Sequence, residues 1–154
     1  MNQPAEKSTS TYWIVVADQS TGEFYLRNKK NGPLQRVFTM RNDAGQKKPI
    51  DLASDRDGRS FDSHGPGRHS LGKEKTDAKK HESQIFAKDI ADRIVAAKQQ
   101  NEFSELILIA APRFLGTLRK SLSVIHSTLT YLSINKDVVG QDTAVIEKLL
   151  SENM

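Results

Sequence analysis

Residues 41–81 hold three of the chain's four histidines (His64, His69 and His81) and five of its nine glycines, with Ser60, Ser63, Ser70 and several aspartates interspersed. Such side chains could hold a metal, build a nucleophilic triad or cradle a phosphate, so spacing has to decide among them. The intervals from His64 to His69 and from His69 to His81 match no standard ligand pattern, and the chain has neither an HExxH segment nor a cysteine. No GxSxG elbow presents a serine. Gly65-Pro66-Gly67 lacks the GK[ST] ending and the preceding strand of a phosphate loop. The expectation is therefore no metal, no cofactor and no assignable catalytic residue.

What the stretch does offer is charge. It carries ten Lys/Arg and seven Asp/Glu, which accounts for +3 of the whole-chain +4. Arg56, Arg59, Arg68, Lys73, Lys75, Lys79 and Lys80 surround the glycines Gly65 and Gly67. Glycine lets backbone come close to a ligand. Arginine forks onto phosphate oxygens, and lysine acts as a point charge. Backbone N–H groups at the tip and at the following helix start add to an anion site. His69 lies beside the same tip. Two other readings stay open on composition alone: a solvated, salt-tolerant loop, and a hydrolase that acts on an ester or phosphoester through His69 and its Ser and Asp neighbours.

The rest of the chain must position this stretch. With 154 residues it suits one domain with a single core. A mean hydropathy of −0.58 is polar, and a pI near 9.3 permits a polyanionic partner without requiring one. The absence of cysteine suits the cytoplasm. The first residues lack the apolar core of a secretory signal, and no apolar run approaches the ~20 residues of a membrane span. Residues 1–11 are polar and read as a disordered tail.

Tyr12–Ala17 (YWIVVA) is apolar without alternation and reads as a central strand covered on both faces. Turn chemistry at Asp18–Gly22 and Asn31–Pro33 separates it from strands at Glu23–Lys29 and Leu34–Met40, although Leu34, Val37 and Phe38 break strict alternation. These short connections suggest an antiparallel meander. After the long basic loop at 41–80, Thr76 or Asp77 can cap a helix to about Gln100, with Phe86, Ile90, Ile94 and Ala97 at helical spacing. Glu105–Ala111 reads as a buried parallel strand, and Pro112 opens a helix that buries Phe114, Leu115, Leu118 and Leu122. Leu129–Ile134 reads as a last strand. Asp142 or Thr143 caps a final helix with Val145, Ile146, Leu149 and Leu150 inward.

The order βββ, long loop, αβαβα predicts an α/β fold over 12–151 as a single domain, with a mixed sheet of about five strands and helices on its faces. Arg113 then follows a buried strand at the carboxyl edge, where open α/β sheets bind ligands. Lys136 and Asp137 follow the last strand. Arg113 and Lys136 join the candidate anion-binding set.

Several motifs give the chain a family resemblance: WIVVAD at Trp13–Asp18, SDRDGRSFDS at Ser54–Ser63, GPGRH at Gly65–His69, KTDAKKHE at Lys75–Glu82, the FAKDIADRI helix, APRFLGTLRKSL at Ala111–Leu122, and Lys136-Asp137. The chain resembles the bacterial proteins required for attachment to host cells, from about Tyr12 to Leu150. That family is in turn similar to the middle domain of archaeal and eukaryotic peptide-chain release factors. The resemblance implies a ribonuclease-H-like three-layer sandwich, a cytoplasmic site of action, and binding to ribosomal or transfer RNA, or the ribosome, through 56–80. In release factors a Gly-Gly-Gln motif enters the peptidyl-transferase centre, and Gly65 to Arg68 stand in its place here. Pro66 occupies the middle and Arg68 replaces the glutamine, while the Gly-Gln pairs at Gly45-Gln46 and Gly140-Gln141 lie in other contexts. The expected function is RNA binding without release-factor hydrolysis. The family name itself leaves open a non-enzymatic role in attachment.

Overall fold

The computed structural model describes residues 10–42 and 65–154; over 65–75 the description is of the backbone. Five strands form one sheet in the order β3-β2-β1-β4-β5. They are β1 (Tyr12–Ala17), β2 (Thr21–Arg27), β3 (Gln35–Arg41), β4 (Glu105–Ala110) and β5 (Leu132–Asn135). β1–β2 and β2–β3 pair antiparallel, whereas β1–β4 and β4–β5 pair parallel. The helices are α1 (Gly65–Gln99), α2 (Pro112–Ile125) and α3 (Thr143–Asn153).

Alternation along the two central strands builds a core on each side of the sheet, because successive side chains point to opposite faces. Trp13, Val15 and Ala17 of β1 with Leu106, Leu108 and Ala110 of β4 face the α1/α2 layer. Ile14, Val16, Ile107 and Ile109 face α3, where Ile146 and Leu150 cover them. The expected α/β three-layer sandwich with a mixed five-stranded sheet is thus the fold adopted.

Three local expectations change. Thr11 is not part of a free tail: its N–H donates to Ser104 Oγ (3.0 Å) and its carbonyl accepts from the Ser104 and Glu105 amides. The rest of the expected tail, 1–9, lies outside the described residues. Val145 is exposed, since Ile146 and Leu150 alone supply the i, i+4 stripe that α3 buries. The broken alternation of β3 is a β-bulge: Phe24 pairs with Phe38 but Tyr25 pairs with Arg36, so Val37 has no opposite number.

The largest difference concerns α1. Thr76 or Asp77 is not its cap, because the helix begins at Gly65 and runs for 35 residues. Pro66 sits in the first turn, where its missing N–H is no loss and its fixed φ suits a helix. Gly67 and Gly72 each cost about 1 kcal/mol against alanine, but the lysines, glutamates and alanines that follow are good helix formers. The loop expected over 41–80 therefore ends at Gly65, and residues 43–64 lie outside the described residues. Among the described residues, no helix is long and apolar enough to cross a membrane.

Candidate functional site at the carboxyl edge of the sheet

β1, β4 and β5 run parallel, so Ala17, Ala110 and Asn135 all end at one edge of the sheet. β3 ends there too, because it is antiparallel to β2. At this edge the Asp18 carboxylate is committed to its own turn. Its Oδ1 accepts from the Ser20 and Thr21 amides, both at 2.8 Å, and from Ser20 Oγ at 3.1 Å. The Asn42 amide donates to the Ser20 carbonyl (2.9 Å) and its side chain to the Gln19 carbonyl (3.0 Å). The β1–β2 turn and the end of β3 are thereby tied together.

Next along the edge, Ala111 precedes α2 without offering a side-chain cap, and Pro112 fills the first turn. Arg113 follows, with its side chain exposed. The first N–H groups of a helix lack partners within it and carry the positive end of its dipole. One strand over, the Lys136 amide donates to the Ala110 carbonyl (2.9 Å), which continues the β4–β5 ladder by one bond and leaves the lysine side chain exposed. Arg113 and Lys136 therefore stand on adjacent connections at the same edge.

α1 passes this edge near Phe86. The Phe86 ring is 6.2 Å from that of Phe114 in the first turn of α2, and Ile90 lies over Gly22 at the β1–β2 turn. A Cβ at Gly22 would sit 3.1 Å from Ile90 Cδ1, so the glycine allows that close approach. N-terminal to the Phe86 contact α1 continues past the edge as an arm, and Gly65 to Ile85 span about 30 Å at the helical rise; Glu82 and Ser83, nearest the body, are half-buried. Thr76 to His81 are all exposed.

Of the expected anion-binding residues, Arg113, Lys136 and Lys79 have exposed side chains, the first two on the sheet edge and Lys79 on the arm. Gly65, Gly67, Arg68, His69, Lys73 and Lys75 are helical residues of the same arm, not a loop tip as expected. Arg56 and Arg59 lie outside the described residues. Among the described residues, no group of three or more His, Asp or Glu side chains could hold a metal ion.

A polar cluster that sequence reasoning missed supports the edge from the α3 side. Glu23 is buried, and Tyr25 Oη donates to its Oε1 at 3.1 Å while the Gly140 amide donates to its Oε2 at 3.3 Å. Arg36 Nη2 donates to Tyr25 Oη at 3.3 Å and lies 4.0 Å from Glu23 Oε2. The β3 bulge is what puts Arg36 opposite Tyr25. Burial is the main reason the Tyr25 phenol titrates above its usual range; the neighbouring Glu23 carboxylate adds to this and the Arg36 hydrogen bond opposes it. Gly140, at φ +82°, has a backbone conformation that favours glycine. Its bond to Glu23 anchors the β5–α3 connection that begins at Lys136. The only sequence signal was Glu23 two residues from Tyr25 on one strand face.

The family model for the protein required for attachment to host cells matches residues 13–150. The chain belongs to that family. The match covers both the sheet edge and the arm, so both are part of the family's domain. No curated protein gives a significant match in sequence. Among solved structures, the chain is similar to the Thermoplasma acidophilum Pelota protein at 13% identity and a TM-score of 0.45. That alignment covers 95% of this chain and 33% of the Pelota chain, so this chain spans about a third of the length of that protein.

Proposed function

We propose that this host-attachment family domain is a release-factor-like module that binds RNA, either ribosomal or transfer RNA or the ribosome itself, and that it works in the cytoplasm. The observation that carries this reading is the joint placement of exposed cations. Arg113 and Lys136 stand on one sheet edge, and Lys79 and Lys80 stand on the helical arm that rises from that edge. Phosphate backbones are held by such cations, and the binding energy comes largely from the counterions they release. Arg68, Lys73 and Lys75 continue the arm, and Arg56 and Arg59 belong to the segment leading into it.

Binding without hydrolysis is the form proposed. Pro66 and Arg68 stand where release factors have glycine and glutamine, and both belong to a helix. Co-sedimentation with ribosomes and with purified transfer RNA at physiological salt tests the reading. The wild type is expected to associate, and Arg113→Ala/Lys136→Ala to associate more weakly. Absence of association from every RNA-containing fraction contradicts it.

A further inference from the structure

The arm of α1 has charge on both sides, but its register sorts that charge. Lys79, Lys75 and Arg68 precede Phe86 by 7, 11 and 18 residues, close to two, three and five whole turns at about 3.6 residues per turn. Their positions therefore line up with that of Phe86, which is buried against the body. Lys80 precedes Ala87 by 7 residues and Lys73 precedes Ala91 by 18, and both alanines are fully buried. All five Lys/Arg positions of the arm thus lie on the prolongation of the side that α1 turns towards the sheet and α2. Two of the three acids follow the opposite side: Glu74 precedes the exposed Asp92 by 18 residues, and Asp77 precedes the exposed Lys88 by 11. Glu82, one turn before Phe86, is half-buried and lies at the boundary between the two sides.

Within the body this side of the helix meets the apolar core; beyond the edge it has no sheet to meet. There it borders the space above the carboxyl edge, where Arg113 and Lys136 stand. Two cationic walls, the arm and the edge, bound one corner. No Phe, Tyr or Trp occurs between Gly65 and Ile85. Among the described residues every Phe, Tyr and Trp side chain is buried or half-buried. Single-strand binders rely on exposed aromatic rings to stack bases, whereas double-helical RNA is recognised by its shape and by its backbone phosphates and hydroxyls.

Building on the RNA-binding reading above, we infer that the corner between the inner side of the α1 arm and the sheet edge seats the sugar–phosphate backbone of double-helical RNA, with the outer, acidic side of the arm left free. The experiment measures binding by fluorescence anisotropy to a 20-base-pair RNA duplex and to one of its single strands, over a salt series. Two charge-matched variants are compared, each made at exposed positions of the arm: Lys79→Gln/Lys80→Gln on the inner side and Ala78→Glu/His81→Glu on the outer side. Circular dichroism is expected to show both folded as the wild type is. The inner variant is expected to lose about tenfold in duplex affinity and about two units of salt slope. The outer variant is expected to stay within about twofold, because charges that face away from the phosphates leave the counterion release unchanged. Equal weakening by both variants, or a single strand bound as tightly as the duplex, overturns the inference and leaves RNA binding standing. Wild-type protein that binds neither probe overturns the RNA-binding reading itself.

Discussion

The ring of Phe86 lies 6.2 Å from the ring of Phe114, inclined at 36°, and this contact marks where α1 leaves the body of the domain. Both residues are buried. N-terminal to that contact the helix has no apolar stripe, and C-terminal to it Ile90, Ile94 and Ala97 pack fully against the sheet. Among the described residues Phe86 is the first fully packed one of α1, and with Ala87, Ile90 and Ala91 it fixes the helix against the sheet and α2 where the arm begins.

Phe86→Ala is therefore expected to destabilise the domain by about 3–5 kcal/mol, the usual cost of removing a buried phenylalanine. It should also weaken RNA binding by more than the loss of folded protein explains. Urea unfolding measures the first effect. Binding titrations on the folded fraction measure the second, and unchanged affinity there would show that the arm is held by other contacts.

Gly22 and Ile90 form a second close pair. Gly22→Ala brings a methyl 3.1 Å from Ile90 Cδ1, and Ile90 is fully buried, so its side chain must shift within the packed core. The expected cost is about 1–3 kcal/mol, typical of overpacking. Ile90→Val removes the atom that is struck, so Gly22→Ala/Ile90→Val should be less unstable than the sum of the single changes. A double-mutant cycle reads this coupling directly; strict additivity would show that the two residues do not press on each other.

Tyr25 makes stability depend on pH in the alkaline range. Its folded-state phenol titrates above the ordinary 10.0, chiefly through burial. The unfolded chain therefore gives up this proton first as pH rises, and stability drops above about pH 10. Tyr25→Phe should flatten this part of the stability curve. It also leaves buried Glu23 one donor short, at a cost of about 1–3 kcal/mol at neutral pH. Urea unfolding of both proteins between pH 8 and 11 checks the two effects, and identical slopes would remove Tyr25 as the cause.

The two central strands were legible because an unbroken apolar run buried on both faces has few other uses. β1 begins and ends where its sequence says, and β4 is misjudged by a single residue. The last strand was read three residues early, since Leu129 and Tyr131 are half-buried against the core without joining the sheet. The start of α1 was hidden for a physical reason. Periodicity marks the side of a helix that packs, and Thr76 to His81 are all exposed, so that stretch of the arm needs no apolar stripe. Gly65-Pro66-Gly67 then looked like a turn. The Glu23–Tyr25–Arg36–Gly140 cluster was hidden because hydropathy cannot show that a carboxylate on a strand has found its donors. The cations themselves were visible from the start, but their sorting onto one side appears only once α1 is seen as a single helix that continues into the core.

The basic edge and arm are proposed to bind RNA through its backbone phosphates. The most direct test of this proposal is the affinity of the purified protein for transfer RNA and for a ribosomal RNA fragment across 50–300 mM salt. Log K is expected to fall linearly with log salt, and Arg113→Ala is expected to lower both the affinity and the slope, the latter by about one unit. Binding that ignores salt, or wild-type protein that fails to bind either RNA at 50 mM salt, would contradict it.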